Sequence, residues 1–409
     1  MYQYSEALVE ALAADAASKV EVVALVRHSD ADAAEVLRTR GIGVMPLLPP
    51  RRRMEQVARS LLKRTKLVEP LQTVRRRFWG RELQVPLRPR PDVREHLCQL
   101  GVDLLLFPAP DTLSFEAGLP SIMAIHDLQH RLQPEFHEVI ADGEFEVREY
   151  LYGNAVRHCM MLLVDSEVGK EDVLELYTDR GATEDRIRVL PFAPAPYLRP
   201  DVSAEEAADV RRRHRLPERY LFYPAQFWPH KNHARIVRAL AAPENRDVVV
   251  VFTGGNSGRF IADTFRDLMR EAADLGVTDR VRYLGYVSNE DMSALYAGAT
   301  ALVMPTFFGP TNIPVIEAWN FGLPVITSDI RGIREQVGEA GLLVDPRSVD
   351  AISDAVHRVW TDEATRAVLS EAGRRRLSRY TADDYCERLK GILEEAAALV
   401  REEPGRAGG

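Results

Sequence analysis

Cysteine is scarce in this chain of 409 residues. The three present, Cys98, Cys159 and Cys386, lie far apart, in neither a paired framework nor a zinc-ligand spacing, as suits a reducing compartment. Long apolar runs are missing as well. No stretch approaches the ~18 to 20 residues of a membrane span, and the opening Met-Tyr-Gln-Tyr-Ser-Glu has neither the basic start nor the apolar core of a signal peptide. The chain therefore reads as cytoplasmic, or as peripheral at the inner face of a membrane. Positive charge is not in excess: 53 Lys and Arg against 61 Asp and Glu leave a net charge of −8, which excludes nucleic-acid binding by bulk charge.

What is present is ordinary soluble material, 46% hydrophobic and 28% charged, and this length exceeds one core of usual size, so two domains are expected. Short runs of Val, Ile and Leu alternate with amphipathic stretches of ~10 to 15 residues, a pattern of parallel strands with helical crossovers. Strands are expected at 20–26, 102–107, 121–125, 161–164 and 188–190, then at 220–223, 248–253, 281–284, 301–304, 324–327 and 342–344, with a helix at 144–158. Between the halves, Pro191-Phe-Ala-Pro-Ala-Pro-Tyr-Leu-Arg-Pro200 holds four prolines, which suits a linker. The expected organisation is an acceptor-side Rossmann-like domain over 1–195, a donor domain over 196–380, and a last helix and disordered tail over 381–409, the helix packing back on the first domain. Two such domains would face each other across a cleft, with ligands beyond the carboxyl ends of the strands.

One stretch departs from the acidic balance. Residues 51–94 hold 14 Lys and Arg against 4 Asp and Glu, with apolar residues at helical spacing over 54–71. That is compatible with contact to an anionic membrane or a phosphorylated acceptor, and equally with a solvated helical insertion.

Two constellations can carry chemistry. In Tyr223-Pro-Ala-Gln-Phe-Trp-Pro-His-Lys-Asn-His233, which follows a strand and opens a helix, Lys231 is well placed to hold a diphosphate beside a helix N-terminus. The plainer reading is a surface lysine with Phe227 and Trp228 as core aromatics. In Met304-Pro-Thr-Phe-Phe-Gly-Pro-Thr-Asn-Ile-Pro-Val-Ile-Glu-Ala-Trp319 a strand ends, a loop turns and a helix begins near Pro314. The amides over 311–313 would point into the cleft. Glu317, one turn into the helix, would suit a bidentate grip on ribose hydroxyls or, more plainly, the helix dipole.

These two stretches, with Tyr283-Leu-Gly-Tyr-Val287 and Gly338-Glu-Ala-Gly-Leu-Leu-Val-Asp-Pro346, resemble the donor half of family 4 retaining glycosyltransferases, over most of 221–380. Ile125-His-Asp-Leu-Gln-His130 and Val164-Asp-Ser-Glu167 extend the likeness into the first half. The resemblance implies a GT-B fold and a metal-independent transfer of a sugar from a nucleoside diphosphate sugar to an acceptor hydroxyl, with retention at the anomeric carbon, in polysaccharide, glycolipid or glycosylated natural product synthesis. It requires no cofactor and implies a hydroxyl acceptor that is a saccharide or lipid-linked. By the same likeness Lys231 meets the donor diphosphate and Glu317 the ribose. The main chain of Gly309, Pro310, Thr311, Asn312 and Ile313 meets the sugar and phosphate, that of Tyr286 and Val287 meets the base, and His126 lies near the transferred sugar. His126 could also be simply a histidine satisfied at a strand end.

The chain departs from the family at three places. Gln226 stands where many members carry an arginine facing the diphosphate, a loss that His230 or helix amides would offset. Gly309 replaces the family's first glutamate, so a contact to the donor sugar would come from Asn312 or from main chain. Finally, Tyr2-Gln-Tyr-Ser-Glu-Ala-Leu resembles the first helix of the acceptor domain without the strand and glycine-rich loop that precede it in relatives. From this the native start is expected some tens of residues upstream of Met1. The Asp30/Asp32 pair after a strand has the spacing of a metal-holding Asp-x-Asp, but with Glu35 and an alanine-rich run it reads as a helix cap. The competing functional readings are a catalytically degenerate nucleotide-sugar-binding partner protein, suggested by Gln226 and Gly309, and an epimerase, which leaves the 309–313 loop unexplained.

Overall fold

The computed structural model describes residues 2–14, 20–27, 30–49, 87–192 and 198–402, with side chains from Ser5 onward in the first helix. The helix expected at 54–71, most of the basic stretch 51–94, the centre of the proline segment and the tail after 402 lie outside the described residues.

The chain divides into two compact units, one within Met1–Val164, Lys170–Leu190 and Cys386–Gly409, the other within Asp165–Gly169 and Pro191–Tyr385. In the first, β1 (Val23–Val26) pairs in parallel with β2 (Gly43–Pro46), a strand the sequence reading missed because it is short and bounded by Gly and Pro. A separate parallel sheet orders β3 (Leu105–Phe107), β4 (Ser121–Ala124), β5 (Met161–Val164) and β6 (Ile187–Val189) side by side. The burial pattern follows these neighbours. The four apolar residues of β1 are only half-buried, whereas β4 and β5 are buried throughout.

The helix Glu144–His158 begins after the left-handed Gly143, at φ +83°, and packs Tyr152, Ala155 and Val156 against Met123, Leu162 and Tyr177. Its Glu149 accepts hydrogen bonds from Arg131, His130 and Tyr177. Burial alone would raise the Glu149 carboxyl, yet these donors hold it far below the usual carboxylate range. They also anchor the short helix Gln129–Leu132 that follows His126. The last helix, Ala382–Glu402, buries Tyr385, Leu389, Ile392 and Ala396, and its Glu395 pairs with Arg188 of β6.

The second unit is one six-stranded parallel sheet. Its strands are β7 (Leu221–Pro224), β8 (Val250–Thr253), β9 (Val281–Tyr283), β10 (Ala301–Met304), β11 (Val325–Ser328) and β12 (Leu342–Val344), in the order β12-β11-β10-β7-β8-β9. Leu221, Phe222, Val250, Val251, Leu302 and Val303 are completely buried, because helices cover both faces, so these strands read as unbroken apolar runs. Ser203 and Glu206 form a reciprocal capping box that starts the helix Ala204–Arg213. The order reverses between β7 and β10, whose carboxyl ends flank the crevice where a doubly wound sheet binds its ligand.

The Asp30/Asp32 reading needs one correction. Asp30 is the N-cap of Ala31–Thr39 and Asp32 lies in its first turn, but the Asp30 side chain makes no capping hydrogen bond. Favourable placement at the positive end of the helix is what remains.

Candidate functional site

The loops after β7 and β10 lie against each other at the switch point. After β7 the chain makes a single turn over Pro229–Lys231, and Asn232 at φ +62° redirects it into the helix His233–Leu240. Asn232 is buried. Its Nδ2 donates to the carbonyls of Pro305 at 2.7 Å and Pro346 at 2.8 Å, which offsets the left-handed conformation and ties the turn to the end of β10. The neighbouring His230 stacks on Phe308 with ring centroids 3.7 Å apart, and its carbonyl accepts from the Phe307 amide at 2.8 Å. Lys231 thus sits in a turn fixed on both sides, two residues before the helix, with its carbonyl held by the Tyr223 hydroxyl at 2.8 Å.

Glu317 lies in the helix Ile313–Asn320 at 2% exposure, beyond its first turn. The Tyr296 hydroxyl donates to its Oε2 at 2.5 Å. Tyr296 is itself fixed, edge-on to Phe222 at 5.0 Å and stacked on Phe321 at 5.4 Å. A buried, oriented carboxylate past the first turn does not match the plain helix-dipole reading.

The connecting loop carries Gly309 at φ +118°. Thr311 Oγ1 donates to Asp165 Oδ2 at 2.5 Å, within the same compact unit. The expectation that the amides over 311–313 all serve a ligand fails at Asn312. Its N–H donates to Gln336 Oε1 at 2.9 Å and its carbonyl accepts from Gln336 Nε2 at 2.9 Å. Behind the loop, a Cβ on Gly332 would fall 2.4 Å from the Pro310 carbonyl oxygen, so only glycine permits this approach of the helix Arg331–Val337.

On the other side of β7, the loops after β8 and β9 close in. The Gly254 amide donates to the Gly285 carbonyl at 2.9 Å, and a Cβ on Gly254 would fall 2.8 Å from Ala225 main-chain atoms. Gln226 is exposed and accepts from Trp228 Nε1 at 3.0 Å. Tyr286 is 87% exposed, next to the buried Val287.

His126 belongs to the first unit, where it follows β4. Burial pushes its pKa down, outweighing the bond to Pro108, so the ring is neutral at pH 7. Its Nε2 lies 2.8 Å from the Pro108 carbonyl. A carbonyl can only accept, so Nε2 carries the proton and Nδ1 is the unprotonated nitrogen. The structure therefore gathers Gln226, Lys231, Tyr286, Val287, the 309–313 loop and Glu317 at one end of one sheet. Tyr296, Asn232, Gly332 and Gln336 were not legible as site residues, since each acts through a partner 21 to 114 positions away.

Residues 205–376 match the family model described as glycosyl transferases group 1. O-antigen chain mannosyltransferase B of Escherichia coli is 27% identical over 257 residues, covering 62% of this chain and 64% of that protein. The GDP-mannose-dependent alpha-(1-6)-phosphatidylinositol monomannoside mannosyltransferase of Mycobacterium tuberculosis is 33% identical over 189 residues, 43% of this chain and 47% of that one. The match thus spans less than two thirds of each of these two relatives. Among solved structures, HepE of Anabaena in complex with UDP and glucose aligns with a TM-score of 0.69 at 17% identity, covering 96% of both chains. That likeness bears on fold alone, and the fold is the GT-B type expected from the sequence, two Rossmann-like α/β units.

Proposed function

We propose, from the premise that residues 205–376 belong to the glycosyl transferases group 1 family, that this protein is a retaining glycosyltransferase. It would move a sugar from a nucleoside diphosphate sugar to a hydroxyl of a saccharide or lipid-linked acceptor, without a metal. The observation that carries the reading is the switch-point pair of loops, with Lys231 on one and the helix of Glu317 leading from the other.

Breaking the glycosidic bond throws negative charge onto the diphosphate. Fixed donors aimed at that charge are the largest catalytic contribution available, and a lysine in a rigid turn before a helix supplies one. With Glu317 assigned to the ribose, no site side chain is assigned as a covalent nucleophile, and on this reading the acceptor hydroxyl attacks from the face the diphosphate leaves while a phosphate oxygen takes its proton. His126, neutral with its Nε2–H held by Pro108, orients the sugar or acceptor. Glu317 accepts from ribose hydroxyls while Tyr296 fixes its direction. Mannose is a candidate sugar on this reading, and a lipid-linked or glycan chain a candidate acceptor, supported by two relatives named as an O-antigen chain mannosyltransferase and a phosphatidylinositol monomannoside mannosyltransferase.

Incubation with sugar nucleotides should release nucleoside diphosphate, and NMR of the product should show the donor's anomeric configuration. An inverted product overturns retention. A protein that binds nucleoside diphosphates but releases none from any donor is instead the binding partner suggested by Gln226 and Gly309. Activity should survive EDTA, because lysine and amides neutralise the diphosphate. Loss on chelation that manganese or magnesium restores would overturn the metal-free mechanism.

Glu317→Gln should weaken donor and free nucleoside diphosphate alike by about 10-fold or more, since hydrogen bonds to a charged group contribute ~1.5 to 3 kcal/mol. Ribose is bound equally before and during reaction, so the change should appear in KM and Kd rather than kcat. Calorimetry with nucleoside diphosphate reads this directly, and unchanged affinity would return Glu317 to a purely structural role.

A further inference from the structure

The 309–313 loop does not hold its own shape. Gly309 at φ +118° gives the backbone a freedom that other residues lack, and Pro310 has no amide hydrogen. Among the described residues, no backbone hydrogen bond joins two members of this loop. Its conformation is imposed from outside. Gly332 packs under Pro310, Gln336 takes both main-chain groups of Asn312, and Asp165 takes the hydroxyl of Thr311.

Asp165 follows the apolar strand β5 at 4% exposure, a place where an apolar residue would cost less to bury than a carboxylate. Both of its oxygens are engaged. Oδ2 accepts from Thr311 Oγ1 at 2.5 Å, within the range of a charge-assisted bond, and Oδ1 accepts from Ser166 Oγ at 3.1 Å. Ser166 Oγ accepts in turn from the Gly169 amide at 3.0 Å. The two amides before it, on Glu167 and Val168, open the helix Glu167–Tyr177 and donate to the two oxygens of Glu335, each at 3.0 Å. A carboxylate there satisfies two donors that a helix start would leave unmade. Glu335 adjoins Gln336, and Arg376 donates to the carbonyls of both. The contacts thus close a ring: Asp165 holds Thr311, Gln336 holds Asn312, and Glu335 holds the segment 165–169. Every one of these residues lies in the second unit.

We propose that Asp165 and Glu335 are positioning residues for sugar transfer, which act through Thr311 to fix the main chain of the 309–313 loop in the form the departing diphosphate requires. The assignment rests on the nucleotide-sugar reading above. Neither carboxylate touches the substrate. A ring that served stability alone would do as well with apolar groups in place of Thr311 and Asp165, and this separates the two roles.

The test measures release of nucleoside diphosphate from GDP-mannose and UDP-glucose by the full chain, with calorimetry of GDP and UDP and with Tm for each variant. Thr311→Val should lower kcat about 10-fold or more, the size expected for loss of one hydrogen bond to a charged group, and should lower Tm because Asp165 is left short of a donor. Thr311→Ser keeps the hydroxyl and should stay within about threefold in kcat. Nucleoside diphosphate affinity should remain within about threefold in both, since Glu317 and the 286–287 segment are untouched. Glu335→Leu should lower kcat as well, and Glu335→Gln, which keeps one accepting oxygen, should lower it less. The deciding protein is Thr311→Val with Asp165→Leu. Replacing both partners by apolar groups should return Tm toward the original, while kcat stays about 10-fold down and no lower than in the worse single variant, as for residues acting through one contact. If kcat returns together with Tm, or if Thr311→Val leaves kcat and KM unchanged, the ring is structural and the assignment is overturned while the transferase reading stands. If the unsubstituted protein releases no nucleoside diphosphate from ADP-, GDP-, UDP- or dTDP-sugars, the transferase reading and this assignment fall together.

Discussion

Lys231→Ala should slow sugar transfer about 100-fold or more at saturating donor, a loss of ~3 kcal/mol or more in transition-state stabilisation. The size follows from where the charge develops. The diphosphate gains negative charge as the bond to the sugar breaks, so a contact from Lys231 strengthens toward the transition state and its loss falls on kcat. The chain carries neutral Gln226 where the family resemblance implies a second cation, and Gln226 is bonded to Trp228 Nε1. Compensation by that residue is therefore not expected. The turn itself should survive, because Asn232, the His230 carbonyl and the Tyr223 hydroxyl hold it. An unchanged Tm with turnover within a few-fold of the original would end the assignment of Lys231.

The second large effect concerns acid stability. His233, two residues beyond Lys231, is 1% exposed, stacked on Tyr223 at 4.6 Å and tilted against Phe227 at 4.5 Å. Burial, with the nearby Lys231 and His230 charges adding to it, pushes its pKa down to about 3. An unfolded histidine titrates near 6.5, so above that pH the folded state loses nothing by keeping this ring neutral. As pH falls from ~6.5 toward ~3 the unfolded chain takes up a proton that the folded chain refuses. Stability drops by about 2 kcal/mol between pH 8 and pH 5 from this residue alone. For a unit of this size that is roughly 4 to 8 °C in Tm. His233→Phe cannot titrate, so its Tm should fall less than the original between pH 8 and pH 5, whatever its starting value. Parallel declines in the two proteins would show that His233 does not carry the acid sensitivity.

Much of the second unit was legible because parallel strands covered on both faces must be apolar along their whole length. Strands at 301–304 and 342–344 were read with the boundaries they have, and the others fell within a few residues. In the first unit, β5 and the helix Glu144–His158 were equally plain. β2 was not, since a four-residue strand holding Gly43 and Pro46 carries no apolar run. The motif around Lys231 could be read because a strand, a turn and a helix follow one another locally. The packing of Gly332 on Pro310 could not, because the glycine lies in an ordinary amphipathic helix and its partner is 22 positions away.

The sequence by itself determined the elements and the residue types that chemistry needs, since helix, strand and turn preferences act over a few neighbours: Lys231 before a helix, Glu317 within one, Gly309 in a loop. Tertiary structure decided what those residues can do. Gln336 takes both main-chain groups of Asn312, Tyr296 sets the direction of Glu317, and the Pro108 carbonyl fixes the proton of His126 on Nε2. Each depends on a hydrogen bond 18 to 24 residues apart in the chain, whose angle and distance are set by how elements pack rather than by local preference. Among the described residues, the same packing leaves the buried side-chain amide donor of Asn312 without an acceptor of its own.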